Sequence, residues 1–212
     1  MGYYIRVLAT DETPLPGDEL RGCLPDKPSC ELDFETKDEA GWSQLLLRHV
    51  GGPAIAVIER NPVLPGPLGE EEIGEFVDDA KSGMPDSAAR WLSQYLPRVK
   101  VIYAVQLLSG TDVDDGWSAV HALRGYIWRK RGGIFQADGG GFSNEDGYHI
   151  LWQFSDHVAG NWNMAVLDEA ERWIRFEMDL GNREQRAAFL DGKLPDQAKL
   201  LLIRPNPSSC LQ

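Results

Sequence analysis

Gly132–Phe154 reads GGIFQADGGGFSNEDGYHILWQF. Two apolar runs, Ile134–Ala137 and Tyr148–Phe154, flank a connection of glycine, asparagine and acidic residues, the pattern of two strands and a turn. Neighbours along a strand point to opposite faces. Tyr148, Ile150, Trp152 and Phe154 then share one face, with His149, Leu151 and Gln153 on the other. In the first run Phe135 and Ala137 alternate with Gln136 and Asp138. The stretch therefore gathers Gln136, Asp138, His149 and Gln153 on one polar face, with Asn144, Glu145 and Asp146 at its end. A carboxylate beside an imidazole can serve as a general base, and an acidic turn can hold a hard cation. The spacing from Asp138 to Gly147 does not fit an EF-hand loop, and the triple glycine lacks the Lys-Ser/Thr of a phosphate loop. The plainer expectation is a solvated sheet face closed by a Gly-Asn-Asp turn, with no metal and no cofactor.

Upstream of this stretch, Trp117–Arg131 has Val120, Leu123 and Ile127 at helical spacing and ends Arg129-Lys130-Arg131-Gly132. Cations suit the negative end of a helix, and glycine suits the position past it. Asp114 or Asp115 can cap its start. Val99–Leu108 is nearly all apolar, which marks a strand buried on both faces. Earlier still come strands at Tyr3–Ala9, Cys30–Thr36, Trp42–Val50 and Ala54–Glu59, with a short helix at Asp18–Leu24. Two amphipathic helices follow, carried by Ile73, Phe76, Val77 and Ala80, then by Ala88, Trp91, Leu92 and Tyr95. Downstream, Trp162–Leu167 and Trp173–Met178 read as strands around an Asp168–Glu171 turn. Asn182 opens a last helix with Gln185 in capping-box position, and Lys199–Ile203 reads as a final strand.

The same element order occurs twice. Tyr4–Leu8 aligns with Tyr103–Leu107, Leu20-Arg21-Gly22 with Leu123-Arg124-Gly125, and Glu39–Trp42 with Glu145–Tyr148. Phe76-Val-Asp78 aligns with Phe189-Leu-Asp191, and Pro85-Asp86 with Pro195-Asp196, in the same order. The expectation is an α+β protein of two ferredoxin-like-style β-α-β-β-β-α halves from an internal duplication, with antiparallel sheets covered by helices. The halves would span residues 1–96 and 97–204, with an extra hairpin at 162–178 in the second and a tail at 205–212.

The 212 residues carry 21 Lys plus Arg against 33 Asp plus Glu, a formal charge of −12. Phosphates and anionic lipids repel such a surface, so nucleic acid and membrane are expected to be poor partners. Cys23, Cys30 and Cys210 match no zinc spacing. No apolar run reaches membrane-spanning length and the N-terminus has no signal-peptide pattern. A cytoplasmic location with reduced thiols is expected. His49, His121, His149 and His157 are scattered, without metal-binding pairs.

Glu31, Asp33 and Glu35 lie on one face of one strand, where like charges repel unless solvent or a cation offsets them. With Trp162, expected to be exposed, they form a candidate partner surface. The function this favours is a non-enzymatic binding protein for a basic protein partner, the kind of role immunity proteins play against basic toxins. The alternatives are a small-molecule binder or enzyme with a site between the two halves, and a structural or oligomerisation module.

Overall fold

Val101–Leu107 is apolar at nearly every position because it has neighbours on both sides. The computed structural model describes residues 2–27, 29–36, 41–66, 68–113 and 115–201. In chain order its elements are β1 (Tyr4–Ala9), α1 (Gly17–Gly22), β2 (Cys30–Phe34), β3 (Gln44–His49), β4 (Ala54–Pro62), α2 (Leu68–Lys81) and α3 (Asp86–Tyr95). There follow β5 (Val101–Leu107), α4 (Gly116–Arg131), β6 (Ile134–Ala137), β7 (Gly141–Phe142), β8 (Asn161–Leu167), β9 (Trp173–Asp179), α5 (Arg183–Leu190) and β10 (Lys199–Leu200). The architecture is mixed α+β with antiparallel sheets.

The chain forms two compact units, each made of two segments. One holds Met1–Glu70 and Val99–Gly133; the other holds Glu71–Arg98 and Ile134–Gln212. The expected boundary near residue 96 lies beside the crossover at Arg98/Val99, but each expected half contributes to both units.

In the first unit the strands run in the order β2-β3-β4-β5-β1, every pairing antiparallel. One face carries the core: Ile5, Val7, Leu32, Leu45, Leu47, Ile58, Tyr103 and Val105 are buried. Trp42 is fully buried beneath it, donates from Nε1 to the Leu15 carbonyl at 2.9 Å and lies 5.9 Å from the Tyr103 ring. Helix α4 buries Ala119, Val120, Leu123 and Ile127. Its start differs from expectation. Asp115 occupies the N-cap position in a left-handed conformation, and its carboxylate accepts from Ser118 Oγ at 2.6 Å rather than from backbone amides. Asp114 lies outside the described residues. The helix ends as the sequence indicates, with the Gly132 N–H on the Trp128 carbonyl at 2.8 Å and a φ of 63°.

In the second unit β8, β9 and β10 form a sheet in the order β10-β9-β8. Met164, Val166, Phe176, Met178, Leu180 and Phe189 form its core. The β8–β9 turn is fixed by Asp168, whose Oδ1 accepts from the Ala170 and Arg172 amides. Asn182 caps α5 by accepting from the Glu184 and Gln185 amides. Gln185 does not reciprocate as a capping box would; its Oε1 accepts from the Asp179 amide at 2.9 Å.

The opening stretch corrects the sequence reading. Gln136 and Ala137 pair with Phe142 and Gly141, so the partner of β6 is the end of the glycine run itself. Gly139 and Gly141 reverse the chain at φ 66° and 83°, a region most side chains avoid. Tyr148–Phe154 is not a strand; what persists is a pair of isolated bridges at His149, to Ser143 and to Met164. The second half thus has two hairpins where the first has the three-strand run β2-β3-β4.

Candidate functional site

The polar residues of the opening stretch do not share a solvated face. Gln136, Ser143, Asn144 and His149 are buried, Asp138, Asp146 and Gln153 half-buried, and Glu145 exposed. The tight hairpin folds the asparagine turn inward, where the backbone must find bonding partners. Ser143 Oγ accepts from the Phe135 amide at 2.8 Å and donates to the Asn144 carbonyl at 2.9 Å. Asn144 Oδ1 accepts from the Asp146 and Tyr148 amides, each at 3.0 Å. The Asp146 carboxylate pairs with Arg175 of β9, whose guanidinium lies 5.8 Å from the Tyr148 ring centroid. These contacts tie the turn to the sheet.

His149 is held in place along its backbone. Its N–H donates to the Asn163 carbonyl at 3.0 Å, and its carbonyl accepts from Ala165 at 2.8 Å. Its ring meets Trp162 edge-on at 4.8 Å and lies 5.6 Å from Phe154. This also corrects the expectation for Trp162, which is half-buried against His149 and Phe154 rather than exposed. Among the described residues no group of three or more His, Cys, Asp and Glu could hold a metal ion.

The acidic row on β2 stays at the surface. Pairing sets Glu31 opposite Arg48, Asp33 opposite Leu46 and, continuing the register, Glu35 beside Gln44, whose carbonyl accepts from the Glu35 amide at 3.2 Å. On β4, Val57 lies opposite Leu46 and Glu59 opposite Gln44. The outer face of β2-β3-β4 thus carries the half-buried Leu46 and Val57 with carboxylates around them. The like charges of the row are offset in part from within: Arg48 reaches Glu31 at 2.9 Å and Asp33 at 2.8 Å. Glu35 is exposed and makes no ion pair among the described residues.

Another acidic face lies on α2. Glu71, Glu75 and Asp79 recur every four residues and are exposed, as is Asp78, which Lys81 pairs at 2.7 Å. Carboxylates four apart on a helix repel, and those in the last turn oppose the helix dipole. The signal is legible in EEEIGEFVDDAK, which intersperses acids among the core residues.

Burial favours the neutral forms of Cys23, Cys30 and His121. Burial pushes the Cys23 thiol up to about 11, and Cys23 Sγ donates to the Leu20 carbonyl; burial also raises Cys30. Both are free thiols, and Cys210 lies outside the described residues. Burial lowers His121 to about 4, helped by the charge of Arg124 and opposed by Asp115. No helix among the described residues is long and apolar enough to cross a membrane. Set against family models, curated proteins and solved structures, the chain matches none, so any functional reading rests on the geometry above.

Proposed function

We propose that this chain is a binding protein for a basic protein partner, engaged through the outer face of β2-β3-β4. One observation carries this reading: Glu31, Asp33 and Glu35 stand in a row on a surface strand, and Arg48 is the cation bonded to that row among the described residues. Leu46 and Val57 give the same face partly exposed apolar area. Charge sets encounter rate and choice of partner, while apolar burial holds the complex together. The overall −12 adds to the attractive field, although screening limits its reach to roughly 8 Å at physiological salt. The tight packing around Asn144 and His149 makes that cluster a structural one in this reading.

The test is capture from the source cell at low salt, run with the wild type and with Asp33→Lys combined with Glu35→Lys. A basic partner that is lost on reversal is expected. A neutral or acidic partner, or an on-rate unchanged by reversal, would overturn the proposal.

We keep the internal duplication of ferredoxin-like halves as a proposal centred on the β-α openings. Its support is the order of the turn and helix matches, together with the presence of both openings, β1-α1 and β5-α4, in the first unit; the strand match is out of phase, because Tyr103 lies opposite Val7 and not on the face of Tyr4. It requires that the rotation carrying β1 onto β5 also carry α1 onto α4; helices on opposite faces of the sheet would end it.

A further inference from the structure

Strand β2 ends the order β2-β3-β4-β5-β1, so one of its backbone edges faces away from the sheet. The phase of that edge follows from the hydrogen bonds. Glu35 N–H donates to the Gln44 carbonyl at 3.2 Å and Val50 N–H to the Ser29 carbonyl at 3.0 Å. Antiparallel pairing alternates, so Glu31 and Asp33 also turn their amides towards β3. Cys30, Leu32 and Phe34 therefore turn theirs outward. The register from Cys30 to Phe34 runs without a shift, and the strand contains neither proline nor lysine, the usual means of blunting an edge.

We infer that this edge accepts an extended segment of the basic partner as an added antiparallel strand. The inference rests on the basic-partner reading and gives it a mode of recognition. An added strand would place alternate side chains beside Glu31, Asp33 and Glu35, where Lys or Arg fits, and the others beside Cys30, Leu32 and Phe34, where apolar residues fit. The same carboxylates disfavour pairing with a second copy of β2, because two such rows would meet as like charges. The edge thus selects an alternating basic–apolar strand over its own copy.

The probe is a short peptide alternating lysine and valine, with two derivatives N-methylated on one or the other set of alternate amides. Charge is the same in all three; only the hydrogen-bonding edge differs. Strand addition predicts that one methylated derivative loses about tenfold or more in affinity and the other does not. It also predicts that the Leu32 and Phe34 amides exchange about tenfold more slowly with the unmodified peptide bound. Equal affinity of both derivatives, or unchanged exchange at those amides, overturns strand addition; salt-sensitive binding that persists then leaves the basic-partner reading standing. Failure of the unmodified peptide to bind at low salt overturns both.

Discussion

Two acidic, polar stretches look alike in sequence and end in opposite environments. Glu31–Glu35 stays on an open strand with its carboxylates outward, whereas Asp138–His149 folds in, with Asn144 fully buried. The difference lies in what the backbone needs. Strand β2 satisfies one edge through β3 and keeps its carboxylates at the surface, where Arg48 offsets two of them. The glycine-rich turn has too little regular pairing of its own, so Ser143 and Asn144 supply bonds that a ladder would have made. Polar residues in the one region are surface chemistry, and in the other they are scaffolding.

This contrast breaks most sharply at Gly141. A Cβ there would sit 2.5 Å from the Leu151 carbonyl, on a backbone with φ 83°. Gly141→Ala is expected to cost about 3 kcal/mol or more through strain and clash. That corresponds to a thermal midpoint roughly 6 °C or more lower; a wild-type midpoint would show that the turn is loosely held. Next in size is Asn144→Ala, which strands the Asp146 and Tyr148 amides. Its expected cost is about 2 kcal/mol, measured by denaturant titration. A loss near zero would mean that the turn is solvated after all.

His121 lies between the two extremes, half-buried against the Trp117 ring. Its folded pKa of about 4 is below the ordinary 6.5, so the unfolded chain takes up the proton first as pH falls. Its stabilising contribution is complete above pH 6.5 and is lost progressively towards pH 4. The wild type should therefore lose more thermal stability between neutral pH and pH 5 than His121→Gln does. Parallel losses would show that the ring is solvated. The smallest expected effect is at Arg48. Because exposed ion pairs contribute about 0–1 kcal/mol, Arg48→Gln should barely move the midpoint while raising the on-rate of a basic peptide. A large destabilisation would make the β2 row structural, like the asparagine turn.

Much of the fold was legible where pattern and burial agree. Val101–Leu107, the apolar stripes of α2 and α3 and the β8–β9 hairpin follow directly from periodicity. The Tyr148–Phe154 strand was misread because alternating residue types do not ensure a pairing partner: Gly141-Phe142 had already taken the edge of β6. The burial of Asn144 and His149 was not legible, since it depends on contacts with β8 and β9 far along the chain. The interleaving of the two units was likewise invisible to local matches. On β2 the acidic face was legible, but its partial neutralisation by Arg48 needed the strand register.

The most direct test compares association rates for the lysine–valine peptide as ionic strength rises from low to physiological. Three proteins are needed: the wild type, Asp33→Asn combined with Glu35→Gln, and Asn144→Ala, each well below its melting temperature. The account predicts a steep decline for the wild type and for Asn144→Ala, and a distinctly shallower one for the β2 variant. Equal slopes in all three would contradict it, and so would a loss of slope in Asn144→Ala alone.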